Sequence, residues 1–94
     1  MKSVRTDAYQ AVLAVVIAAR ARAGVTQQQL ADLLDKPQSF VSKYENGERR
    51  LDVAEFLAIL HALRQDPHAA LGEILASRPF RRTGARPALR RVRR

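Results

Sequence analysis

Apolar residues recur along this chain at spacings of three and four positions, which is the period of an α-helix with one buried face. The first such stretch extends from Asp7 to Arg22. The positions that share its buried face are Tyr9, Val12, Leu13, Val16, Ile17 and Arg20. No stretch shows the apolar–polar alternation of a half-buried strand. The pattern therefore predicts an all-α protein.

Two short helices joined by a tight turn are predicted in the middle of the chain. Thr26 and Gln29 have the spacing of a capping box, which opens a helix that continues to about Leu34. A turn at 35–37 ends in proline at the first position of the next helix, which extends to about residue 45 before an Asn-Gly stop. This is the layout of a helix-turn-helix, whose second helix enters the DNA major groove.

Two further start signals predict a fourth and a fifth helix. Asp52 with Glu55 has the capping-box pattern, and Asp66 is followed by Pro67. A chain of 94 residues builds only a small core, so a dimer partner would add stability. The residues predicted to form the dimer interface are Leu71, Ile74 and Leu75. The alternative is that these three residues complete the core of the monomer.

The positive charge lies at one end of the chain. The net charge is +8, yet residues 1–77 contain nine Lys or Arg and nine Asp or Glu. Residues 78–94 contain eight Arg, no acid and few apolar residues, which predicts a disordered tail after a domain at 1–77. The tail could bind phosphates non-specifically, enter a neighbouring minor groove, or bind an acidic protein partner.

Other function classes lack the residues that they need. The apolar run behind Lys2 and Arg5 imitates a secretory signal, but Asp7 lies at its front. The run is also shorter than the roughly 20 apolar residues of a membrane span. Cysteine is absent, and His61 and His68 have no neighbours at ligand spacing. We therefore expect a cytoplasmic protein with no membrane contact, metal, cofactor or catalytic activity.

Three motifs within residues 8–76, GVTQQQLADLL, PQSFVSKYENGERRLD and VAEFLAILHAL, resemble the lambda-repressor-like, Cro-type helix-turn-helix regulators, also called the XRE family. The resemblance implies a five-helix DNA-binding domain of bacterial or phage origin. It also implies a homodimeric transcriptional repressor that recognises a pseudo-palindromic operator in double-stranded DNA. In the family an ion bridge ties helix 1 to helix 3, and the matching residues here are Arg20 and Glu45.

The third helix is predicted to contact bases. Side chains that Val41 and Tyr44 leave exposed are Gln38, Ser39, Ser42 and Lys43. Glutamine pairs with adenine, lysine reaches guanine, and serine accepts several bases. By resemblance, the first two of these residues and Lys43 fall on base-contacting positions. Phe40 either contacts a thymine or packs against the neighbouring helices.

Residues that flank the third helix are predicted to contact the DNA backbone. They are Lys36, Asn46, Arg49 and Arg50, and Gln27 at the start of the second helix is predicted to contact a phosphate and to brace the third helix. Such contacts position a protein on DNA without recognising sequence, and the alternative for the loop residues among them is simple solvation.

Two functions fit this pattern. The first is a sequence-specific transcriptional regulator. The second is an antitoxin, which binds operator DNA with the same domain and neutralises a partner toxin through another surface or the tail.

Overall fold

The structure, a computed structural model, describes residues 6–81. Within this range the helices are α1 (Asp7–Ala23), α2 (Gln27–Leu34), α3 (Gln38–Glu45), α4 (Val53–Ala62), α5 (Pro67–Ala76) and α6 (Arg78–Arg81). The prediction of an all-α fold is confirmed, and the five predicted helices correspond to α1–α5.

Local side-chain signals set the helix ends. Thr26 accepts a hydrogen bond from the Gln29 amide at 3.0 Å, and the Gln29 side chain accepts one from the Thr26 amide at 2.9 Å. Asp52 and Glu55 form the same reciprocal pair at the start of α4. Gly24 ends α1 with φ of 71°, in the left-handed region that glycine adopts without steric cost. The predicted caps are therefore confirmed.

The turn between α2 and α3 is built on a non-glycine residue. Asp35 has φ of 59°, and its amide bonds the carbonyls of Ala31 and Asp32. Short polar side chains such as aspartate tolerate this left-handed conformation better than other residues do. Pro37 caps α3 from outside, with φ of −71° and ψ of 154°, instead of occupying the first helical position as predicted. Its missing N–H leaves no hydrogen bond unmade there.

One small hydrophobic core joins the helices. Its largest fully buried side chains come from α1 to α4 and are Val16, Leu30, Val41, Tyr44, Ile59 and Leu60. Ile74 of α5 also lies in this core. The core fixes α3 against α2 through Val41 and Tyr44, and leaves the opposite face of α3 open.

The folded part of the chain extends beyond the predicted boundary at residue 77. Arg78–Arg81 form the short helix α6, where the amides of Phe80 and Arg81 bond the Ser77 carbonyl at 3.1 and 2.9 Å. Phe80 packs against the core. The prediction that the tail is disordered from residue 78 is therefore wrong for residues 78–81. The remainder, residues 82–94, lies outside the described residues.

The described helices are short for membrane proteins. No single one among residues 6–81 is long and apolar enough to cross a bilayer. The pair α1 and α2 has the necessary length and composition, but the two helices are bent by 100° at the break between them.

Candidate nucleic-acid interface

The exposed face of α3 carries polar side chains. Gln38, Ser39 and Lys43 are exposed, and Ser42 is half-buried at the edge of the face. Their orientation follows from the core, because Val41 and Tyr44 point the other way. The four residues predicted to contact bases thus lie on or beside one surface of one helix.

Hydrogen bonds connect this face to the start of α2. The Gln38 Nε2 atom donates to Gln27 Oε1 at 2.7 Å, and Gln27 Nε2 donates to Glu45 Oε1 at 2.9 Å. These two bonds brace both ends of α3 through one side chain of α2. The carbonyl oxygen of Gln38 and its second amide hydrogen stay available, which is the donor–acceptor pair that adenine requires.

An ion pair between α1 and α3 continues this network. Arg20 donates from Nε to Glu45 Oε2 at 2.7 Å and from Nη2 to Oε1 at 2.8 Å. A third bond runs from Arg20 Nη1 to the Val25 carbonyl at 2.9 Å. The two side chains are 22% and 8% exposed, respectively. Hydrogen bonding to Glu45 raises the pKa of Arg20 above its ordinary value, so the guanidinium stays charged.

A second ion pair lies in the loop that follows α3. Arg49 donates from Nη1 and Nη2 to the two carboxylate oxygens of Glu55, at 2.9 and 2.8 Å. These bonds, followed by that from the Asp52 backbone amide, lower the pKa of Glu55 to about 2. The same bonds raise the pKa of Arg49. Arg49 therefore carries its positive charge beside a permanently ionised partner at neutral pH.

The cations that flank α3 lie over aromatic rings. Lys36 Nζ is 5.4 Å from the centroid of the Phe40 ring, and the Arg49 guanidinium carbon is 4.8 Å from it. Arg50 lies over the ring of Tyr9 at 4.7 Å. No local sequence pattern indicates these contacts, because they depend on the paths of two loops.

The other flanking residue is a polar amide. Asn46 donates from Nδ2 to Glu48 Oε2 at 3.3 Å on an exposed surface. All of the residues predicted to contact the DNA backbone therefore lie around α3, and several make intramolecular contacts there.

The residues predicted to form a dimer interface do not share one environment. Leu71 and Leu75 are 44% and 59% exposed on α5, whereas Ile74 packs into the core. A partner could therefore contact the first two directly, and Ile74 only through them. Leu33, Val53 and Leu57 are further exposed apolar side chains.

Within residues 6–81, no group of three or more His, Cys, Asp or Glu residues could hold a metal ion together. The polar groups of the α3 face are amides, hydroxyls and an ammonium. These are groups that form hydrogen bonds with base edges and phosphates.

Comparisons with known proteins place this arrangement in a wider context. A family model described as helix-turn-helix matches residues 16–68. An XRE-family like protein from Pseudomonas syringae pv. tomato str. DC3000 has a solved structure with a TM-score of 0.73 and 48% identity, covering 80% of this chain and 92% of that chain. The solved structure of the clp gene regulator ClgR from Corynebacterium glutamicum has a TM-score of 0.63 and 26% identity, covering 87% of this chain and 85% of that chain. No curated protein sequence matches the chain.

Proposed function

Because the chain belongs to the XRE-type helix-turn-helix family of DNA-binding transcription regulators, we propose that it is a dimeric repressor. It recognises a pseudo-palindromic operator in double-stranded DNA, with α3 in the major groove of each half-site. The observation that carries the proposal is the exposed polar face of α3, braced by Gln27 and Glu45. A face held in one orientation loses little freedom when it meets the bases.

Sequence recognition is assigned to Gln38, Ser39, Ser42 and Lys43. Gln38 pairs with adenine through its available oxygen and amide hydrogen, while Gln27 fixes the plane of its amide. Lys43, on the exposed face, reaches guanine O6 or N7. Each such contact is worth about 1–3 kcal/mol of discrimination against the wrong base.

Backbone contacts are assigned to Gln27, Lys36, Asn46, Arg49 and Arg50. Residues 6–81 contain nine basic and nine acidic side chains, so overall attraction to DNA from this part of the chain is weak. Residues 82–94 contain six further arginines. We propose that this segment is a non-specific arm that adds affinity by releasing counterions from phosphate.

Dimerisation gives the specificity that one α3 cannot. Two copies related by a two-fold axis place their α3 helices one DNA turn apart and double the number of base contacts. Leu71 and Leu75 are the proposed contact residues, because both are apolar and exposed on α5. Replacing both with Lys is expected to give a monomer by light scattering, with weaker operator binding and an unchanged helical signal. A dimer of undiminished affinity would move the interface elsewhere.

The test of the proposed function is selection of bound duplexes from a random library at near-physiological salt. We expect a two-fold-symmetric motif with half-sites about one turn apart. Lys43→Ala and Gln38→Ala should then each relax preference at particular base pairs while the fold is retained. Equal weakening on all sequences would remove these residues from base recognition. If selection with the wild type enriched no motif, the proposal of a specific operator would be refuted.

An antitoxin remains the competing function. The observation that favours it is the apolar surface of α2 and α4, where Leu33 and Leu57 line a groove together with Pro67. A partner toxin encoded by an adjacent gene should then bind the chain with a defined stoichiometry. Leu57→Lys should weaken that binding. If the chain binds DNA and no such partner binds it, transcriptional regulation is the function that remains.

A further inference from the structure

The cations on either side of α3 share one aromatic ring. Lys36 lies in the turn before α3 and Arg49 in the loop after it, yet both contact the ring of Phe40, at 5.4 and 4.8 Å. The two residues are separated in sequence by the whole of α3. The Phe40 ring is therefore the shared contact that fixes where both cations lie. A ring face attracts a cation through its quadrupole at such distances.

The ring itself is held in place by the core. Phe40 is half-buried and packs edge-to-face on Tyr44, with ring centroids 5.5 Å apart and an interplanar angle of 68°. Tyr44 is fully buried. The orientation of the Phe40 ring is therefore set by the same packing that fixes α3, and the cations resting on it inherit that orientation.

Arg49 keeps hydrogen-bonding capacity for a ligand. Its bonds to Glu55 and to the Arg50 carbonyl use three of its five N–H groups, so two are left. Lys36 is exposed and presents an ammonium with three donors. Both side chains can therefore contact the ring and a phosphate oxygen together.

We propose that Phe40 is a positioning residue for phosphate contacts. Its ring holds Lys36 and Arg49 where they meet backbone phosphates on the two sides of the inserted α3, and it contacts no base. The inference rests on the proposed DNA binding and assigns a role to a residue between the recognition positions. Long cationic side chains lose rotamer freedom when they bind, and ordering them beforehand is worth a few-fold in affinity for each.

The experiment measures dissociation constants on the selected operator and on an unrelated duplex, as a function of salt. Phe40→Leu removes the ring and keeps an apolar side chain, and we expect about 3- to 10-fold weaker binding to both duplexes. Phe40→Tyr keeps the ring face and should stay within about 2-fold of the wild type. Urea denaturation of each variant establishes that the domain is folded under the binding conditions.

A double-mutant comparison separates positioning from packing. In a Lys36→Gln/Arg49→Gln background the ring has no cation to position, so Phe40→Leu should cost less than about 2-fold there. If that background does not fold, Lys36→Gln alone must still shrink the loss caused by Phe40→Leu.

Three results would overturn the proposal. An equal loss in both backgrounds would show that the ring acts through the packing of α3. A change confined to one base pair would show a direct contact with a base. Failure of the wild type to bind any duplex would refute the proposed function as well, whereas the first two results leave that function intact.

Discussion

Replacing Arg20 with Met is expected to lower the free energy of unfolding by about 3 kcal/mol. The change removes both charge-assisted hydrogen bonds to Glu45, at 2.7 and 2.8 Å, and leaves the carboxylate with Gln27 as its remaining side-chain partner. Because the Glu45 side chain is only 8% exposed, water replaces the lost bonds poorly. Breaking a buried pair costs about 3–5 kcal/mol, and the 22% exposure of Arg20 places this pair at the lower end.

The assay is urea denaturation followed by circular dichroism. A small domain loses about 1–2 kcal/mol of stability per molar urea, so the midpoint should fall by roughly 1.5–3 M. Methionine retains most of the aliphatic stem, so the loss reports on the guanidinium and its charge rather than on packing.

The chain supplies its own control in Arg49→Met. Its partner Glu55 is also held by two bonds, at 2.9 and 2.8 Å, but the side chains are 40% and 22% exposed. Exposed ion pairs contribute up to about 1 kcal/mol, so the midpoint should move much less. Equal losses for the two variants, or a loss below about 1 kcal/mol for Arg20→Met, would refute the argument from burial.

Four further predictions concern two tyrosine hydroxyls, one carboxylate and the C-terminal arginines. Tyr44→Phe should leave the free energy of unfolding equal or raise it by up to about 1 kcal/mol, because its buried hydroxyl has no hydrogen-bond partner among residues 6–81. Tyr9→Phe should lower the free energy of unfolding by about 1 kcal/mol, because the Tyr9 hydroxyl accepts a hydrogen bond from the Leu51 amide at 3.1 Å. If denaturation showed Tyr44→Phe to be less stable than Tyr9→Phe, both predictions would be contradicted. The pKa of Glu55 is lowered from 4.5 to about 2, so its stabilising effect is complete above the ordinary value and is lost as pH falls toward 2. Glu55→Gln should therefore flatten stability against pH in that window, and an unchanged acid limb would exclude the mechanism. Deleting residues 82–94 removes six arginines and should reduce the slope of log binding constant against log salt by up to about 5; an unchanged slope would exclude phosphate contacts.

Helix ends were predictable because their signals are local. The Thr26 capping box and the Gly24 stop each depend on a few neighbouring residues, and both lie where the sequence indicated. The short helix at Arg78–Arg81 could not be predicted in the same way. This helix depends on the packing of Phe80 against the core. In a prediction from composition, that one apolar residue is outweighed by the surrounding arginines.

The environment of each site residue was harder to predict than its identity. Leu71 and Ile74 belong to one predicted interface, yet only Ile74 packs into the core, because the width of a buried face depends on the neighbouring helices. The cations beside α3 could be named from charge alone. Their contacts with Phe40 required the paths of the loops, which no local pattern encodes.

One acceptor atom links base recognition to folding. Glu45 Oε1 receives hydrogen bonds from both Arg20 and Gln27, and Gln27 in turn holds Gln38. A substitution at Gln38 that changes the preferred base therefore also disturbs a network on which stability depends. Lys43 stands outside that network on the exposed face. We expect relatives that recognise other operators to differ first at Lys43, where a substitution changes specificity without lowering stability. At Gln38 we expect them to differ only together with Gln27 or Glu45.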